Sequence, residues 1–203
     1  MQYRVAIFIF NEVEVLDFAG PFEVFSIAGL RTLSVAPFEV FTVAQFKTIN
    51  ARNNLTIKPT YTFAAVPKAD ILIIPGGGGY NADGTAFGSR REMNNPIVLH
   101  WVKEQASTAK LTLSVCTGAL ILAKAGLLEG LEATTHYLAI DGLKKISDKI
   151  SVKENVRFVD NETIITSAGI SAGIDMSLYT VCKLLGKEAA DETAKYMQYD
   201  YWK

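Results

Sequence analysis

A chain of 203 residues, 49% hydrophobic and 20% charged, is long enough to bury one sizeable core and short for two, so one domain over 1–203 is expected. With 20 basic and 21 acidic residues and a formal net charge of -1, it has no basic stripe to neutralise phosphates, which argues against nucleic acid as a partner. The two cysteines, Cys116 and Cys182, lie in apolar segments without the spacing of a disulfide framework and point to a reducing, cytoplasmic setting.

The first ten residues contain an apolar run too short to span a bilayer. Glu12 and Glu14 follow where a signal peptide needs small residues, so neither membrane attachment nor export is expected. Short runs rich in Val, Ile and Phe recur at 4–10, 38–44, 71–74 and 111–115. Near-continuous apolar runs of this length suit strands buried on both faces. Helical patterns fill 16–30, 96–107, 117–128 and 171–185 between and after them, and a last surface helix is expected over 187–199. Such alternation predicts an α/β fold, a doubly wound and mostly parallel sheet with helices on both faces. Two stretches break it: 55–63, and the pair 155–159 with 163–166 joined by Asp160-Asn161-Glu162, both read as antiparallel ribbons.

The segment LTLSVCTGALILAKAGLL carries the most chemistry. Strand-like residues lead into Cys116, and a helical pattern begins with Thr117-Gly118-Ala119. A cysteine on such a turn sits at the carboxyl end of a parallel strand, where open sheets place their sites. The positive end of the following helix is expected to lower its thiol pKa. Gly118 keeps the turn open as in a nucleophile elbow, although G-x-S-x-G is absent. A buried structural cysteine fits the same position. Cys182 repeats with Leu178, Val181 and Leu185 on one apolar stripe and reads as core packing.

The run Pro75-Gly76-Gly77-Gly78-Gly79 follows the strand at 71–74. Its amides, with that of Thr117, are candidates for an oxyanion or substrate-binding hole, and an ordinary tight loop is the alternative. In EVLDFAGPFEVF, Asp17 is flanked by Leu16 and Phe18. Hydrocarbon there raises a carboxyl pKa and makes Asp17 a candidate acid or base, while a plain helix cap fits equally well. His136 ends the β-like run 132–135 at what would be the same sheet edge, and His100 lies in an amphipathic helix far from every motif. Two isolated histidines without a cysteine cluster do not make a standard zinc site, so no metal is expected.

Together, EVLDFAGPFEVF, IPGGGG, SVCTGALILAKAGLL, ATTHY and TSAGISAGIDMSLYTV resemble the ThiJ/PfpI superfamily along essentially the whole chain. The resemblance implies a flavodoxin-like, class I glutamine amidotransferase-like fold with a nucleophile elbow at Cys116. The pairing of Asp17 with Thr117 is most similar to the isonitrile hydratase branch, which implies a cofactor-independent hydro-lyase that adds water to a small organic isonitrile. It assigns Cys116 as nucleophile and Asp17 as its acid/base partner, with Gly76, Gly77, Thr117 and His136 around the substrate, and a homodimer. The protease branch places a His directly after the cysteine, where this chain has Thr117. A glyoxalase-like branch shares Cys116 and His136 and carries Glu at position 17. Glyoxalase or amidase chemistry on the same cysteine, or a non-catalytic redox sensor or ligand-binding protein, are the alternatives.

Overall fold

In the computed structural model, residues 2–30 and 33–200 are described; positions 1, 31, 32 and 201–203 of the expected 1–203 unit lie outside the described residues. The central sheet has seven strands: β1 (Tyr3–Phe8), β2 (Phe38–Ala44), β3 (Tyr61–Thr62), β4 (Ile71–Ile74), β5 (Leu111–Ser114), β6 (Phe158–Asn161) and β7 (Ile164–Ser167). Their order is β6-β7-β5-β4-β1-β2-β3, and every pairing is parallel except β6 with β7. All four side chains of β4 are fully buried, as are Val5, Ala6 and Ile7 of β1, which is why these strands read as unbroken apolar runs.

Among the described residues, five helices of seven or more residues cover the sheet: α1 (Val15–Ile27), α2 (Pro96–Thr108), α3 (Gly118–Lys124), α4 (Ala172–Leu185) and α5 (Lys187–Tyr196). α1, α4 and α5 pack on one another and α2 packs on α3, giving the two helical layers of a doubly wound fold. Asn95 caps α2 by accepting the Ile97 amide at 3.1 Å, with Pro96 in the first turn, where a missing N–H costs nothing. No helix among the described residues is long and apolar enough to cross a membrane.

Two expectations change in register. The stretch 55–63 is not one ribbon. Leu55–Ile57 pairs antiparallel with Ile49–Ala51, whereas Tyr61–Thr62 joins the main sheet as a parallel edge strand. Pro59 lies between them, in neither ladder, where it has no N–H to offer one. The hairpin of β6 and β7 is displaced: Asn161 pairs with Ile164, so the turn holds only Glu162 and Thr163. Glu162 adopts a positive φ of 67°, and its amide donates to Asp160 Oδ1 at 2.7 Å, which tightens that turn. Helix α3 also stops before residue 128, because Gly126 takes a left-handed conformation at φ 74°.

The topology sets the site. β4 lies between β1 and β5, and Ile74 is level with Ser114 in the register. Gly76 and Cys116 therefore each stand two residues beyond a paired position, at one carboxyl edge. The loop after β1 delivers the start of α1, with Asp17, to that edge.

Candidate active site

Cys116 occupies the turn between β5 and α3 with a positive φ of 56°. Its amide donates to the carbonyls of Ser167, the last residue of β7, and Ala168, at 3.2 and 3.1 Å, and its carbonyl accepts Thr135 Oγ1 at 2.8 Å. The turn demands glycine two residues on: a Cβ on Gly118 would stand 1.9 Å from the Ile74 carbonyl oxygen. The end of β7 and the Thr135 hydroxyl thus hold the backbone of the elbow, with the sulfur beside Asp17 at the start of α1.

Asp17 is fully buried in the first turn of α1. It does not cap that helix: the capping position is Glu14, and no side chain bonds there. Oδ2 instead accepts the Gly76 amide at 3.0 Å, and Oδ1 has no hydrogen-bond partner. Burial, with a smaller push from Glu14, raises its pKa to about 7, against the opposing pull of the Gly76 amide and the adjacent Cys116 side chain. The sulfur is thus close enough to interact with this carboxyl, yet it does not meet Oδ1 with hydrogen-bond geometry.

The thiol departs from the sequence reading. Burial first, and then the Asp17 charge, push Cys116 up to about 12, although the Thr117 and Ile170 amides and the Thr117 hydroxyl all favour the thiolate. Desolvation of a buried ion shifts a pKa by several units, whereas a helix terminus contributes about 1 kcal/mol, less than one unit. Burial wins, and the thiol is held protonated at neutral pH.

The glycine amides are also committed elsewhere. The Gly76 amide is taken by Asp17, and the Gly77 amide donates to Thr117 Oγ1 at 3.0 Å. Both amides are thereby engaged within the site itself. Close approach still requires glycine at position 76, where a Cβ would stand 2.4 Å from the Thr117 nitrogen and 3.0 Å from Asp17 Oδ2. The donors facing the sulfur are instead the Thr117 and Ile170 amides. Ile170 went unnoticed in the sequence, because an apolar side chain carries no sign of what its backbone does.

Ser89 was missed too. Its Oγ donates to the Gly77 carbonyl at 2.7 Å and lies 2.8 Å from Thr117 Oγ1, so it anchors the hydroxyl beside Cys116. His136 packs against Gly169, and its Nδ1 accepts the Leu138 amide at 3.3 Å. That nitrogen caps a short turn and does not polarise the sulfur. His136, Ile170, Thr135 and Arg157 line an open cleft of about 830 Å³ behind the elbow. His100 sits on α2, away from the site, and Cys182 is half-buried in α4. Among the described residues no group of three or more His, Cys, Asp or Glu side chains is placed to hold a metal ion.

Known proteins share this arrangement of chain. It is 32% identical to an isonitrile hydratase of Pseudomonas putida, over 98% of this chain and 79% of that protein. It is 27% identical to the HTH-type transcriptional regulator CdhR of Pseudomonas aeruginosa over 71% of this chain, spanning 40% of the regulator. The crystal structure of a ThiJ/PfpI family protein from Pseudomonas syringae superposes with a TM-score of 0.84 at 28% identity, covering 98% of this chain and 76% of that one. The profile of the DJ-1/PfpI family matches residues 3–183, a span that carries β1, the glycine run, the elbow and most of α4, and the chain belongs to that family.

Proposed function

We propose that this protein hydrates a small organic isonitrile to an N-substituted formamide, with Cys116 as nucleophile and Asp17 as its proton partner. The observation that carries the reading is the Asp17 carboxyl: buried, titrating near neutrality, with one oxygen unpartnered beside a cysteine on an elbow. Similarity to an isonitrile hydratase over 98% of the chain supports the choice of substrate.

The chemistry balances with these two groups and water. The Cys116 proton passes to Asp17, and the sulfur attacks the terminal carbon of R–N≡C, forming a C–S bond. Asp17 returns the proton to that carbon, giving a thioimidate, R–N=CH–S. Water adds across the C=N bond, and collapse of the adduct breaks the C–S bond, releasing R–NH–CHO and the regenerated thiol. The Thr117 and Ile170 amides favour the sulfur while it is charged. Thr117 keeps the position after the nucleophile free of a second base. The reading includes a cytoplasmic homodimer that needs no cofactor; light scattering of the purified protein checks the assembly.

A redox sensor would want an exposed, acidic thiol. Cys116 is 5% exposed and its pKa is raised, which favours a protected nucleophile. The test is turnover of p-substituted phenyl isocyanides against methylglyoxal. Formamide production by the wild type, lost in Cys116→Ser and kept in Cys182→Ser, is expected. Turnover of methylglyoxal alone would replace the hydratase reading with a glyoxalase.

A further inference from the structure

Arg90 stands beside the elbow through a relay of hydroxyls. Its Nη1 donates to Ser89 Oγ at 3.2 Å, Ser89 Oγ lies 2.8 Å from Thr117 Oγ1, and Thr117 directly follows Cys116. The guanidinium is partly buried and within electrostatic reach of Cys116, Tyr80 and His136.

Every other described arginine holds a carboxylate: Arg4 with Glu39, Arg52 with Glu14, Arg91 with Glu12 and Glu92, and Arg157 with Asp175. Arg90 has no such ion pair among the described residues, and its neighbour in the short helix Ser89–Glu92, Arg91, pairs with both Glu12 and Glu92. Burial works against the Arg90 charge, yet a guanidinium stays protonated. The groups it faces do not neutralise it. Cys116 is a thiol near pH 7, and His136 is pushed toward its neutral form by burial and by Arg90 itself. Glu14, the acid that His136 feels, is 2.5 Å from Arg52. One positive charge without a counter-ion therefore borders the nucleophile, in a partly desolvated place where an anion would be welcome.

We propose that Arg90 is the specificity-determining residue of this site, and that the isonitrile taken is one bearing a carboxylate, which binds the Arg90 guanidinium while the isonitrile carbon meets Cys116. The inference rests on the hydratase reading above. A carboxylate fits better than a phosphate: the fork of the guanidinium matches two carboxylate oxygens, and a single charge balances a single charge.

The test compares 3- and 4-isocyanobenzoate with their methyl esters. The ratio of kcat/KM, acid over ester, should exceed one in the wild type and fall about tenfold to a hundredfold in Arg90→Met, chiefly through KM, with Arg90→Lys between the two. A ratio that does not move in Arg90→Met overturns the proposal while leaving isonitrile hydration intact. If the wild type turns over no isonitrile, the hydratase reading fails separately, and benzoate titrated by calorimetry decides for Arg90. Binding to the wild type that weakens at least tenfold in Arg90→Met supports an anion site; no binding, or equal binding, removes it.

Discussion

The Gly76 amide donates a 3.0 Å hydrogen bond to Oδ2 of Asp17, so the buried carboxyl is gripped by one oxygen and keeps the other unpartnered. This divides the two roles open to Asp17. Asparagine in its place can still accept the Gly76 amide through its carbonyl oxygen, but it cannot exchange a proton with sulfur or carbon. Asp17→Asn should keep its melting temperature at pH 8 and lose about 10² to 10⁴ in turnover. An unchanged rate in that variant removes Asp17 from the chemistry.

The same carboxyl sets a pH dependence of stability. In the unfolded chain Asp17 titrates near 3.8, and in the fold near 7 because burial disfavours its charge. Below about pH 4 both states hold the proton; between the two values only the folded state does, so stability falls as pH rises and the contribution is gone above about 7. The full swing is on the order of 4 kcal/mol. Cys116 adds nothing in this window, since its thiol stays protonated in both states below about 9. Melting temperatures from pH 4 to 8 should therefore decline for the wild type relative to Asp17→Asn. Parallel curves would contradict the raised pKa.

Activity should follow the proton count of the pair. Asp17 and Cys116 are coupled, so the pair loses one proton with an apparent pKa of about 7 and the second near 12. In the proposed reaction the active form holds one proton, as thiolate facing carboxylic acid. Accordingly kcat/KM should rise through about pH 7 and stay level to about pH 10, and Asp17→Asn should lose the lower inflection. A profile already flat from pH 5 would restore the acidic thiol expected of a helix terminus.

The sheet was largely legible because burial on both faces leaves a mark in composition: Ile71, Leu72, Ile73 and Ile74 read as an interior parallel strand, and they are one. The meeting of Asp17, Gly77 and Cys116 at one sheet edge was legible too, since each follows such a strand. What escaped was settled by backbone and by distance. Nothing in the side chains of Gly76 and Gly77 tells that their amides are spent on Asp17 and Thr117, nor that the Ile170 amide faces the sulfur. The raised thiol pKa is not legible in the sequence, because the helix start is visible there while the depth of burial is not. Ser89 and Arg90 lie in the short helix Ser89–Glu92 beyond the glycine run, and only the intervening ribbon of Gly78–Tyr80 with Ala86–Gly88 brings them back to Thr117.

Thr117 offers a test of that ribbon. Its hydroxyl accepts the Gly77 amide, contacts Ser89 and favours the Cys116 thiolate. Thr117→Val keeps the shape and leaves the Gly77 amide buried without a partner, which costs about 1–3 kcal/mol. Stability should fall by that amount and turnover by about tenfold, with Thr117→Ser near wild type in both. If Val is as stable as Ser, the hydroxyl does not hold the glycine loop.

The elbow itself stores strain that unfolding experiments can read. Cys116 has φ 56°, a left-handed conformation that costs a residue with a Cβ about 1–2 kcal/mol and glycine almost nothing. Against this, glycine is more flexible when unfolded, which costs a glycine variant about 0.4–1 kcal/mol relative to alanine. The first effect is the larger. Cys116→Gly should therefore be at least as stable as Cys116→Ala, by up to about 1 kcal/mol, whereas in ordinary helices and strands glycine is the less stable by about 0.5–1 kcal/mol. Both variants lack the sulfur, so the loss of its contacts cancels in the comparison, and the buried alanine methyl, worth up to about 0.8 kcal/mol, offsets part of the backbone difference. Urea unfolding of the two at pH 7 measures it, and an alanine variant that is the more stable would mean Cys116 is not held in a strained turn.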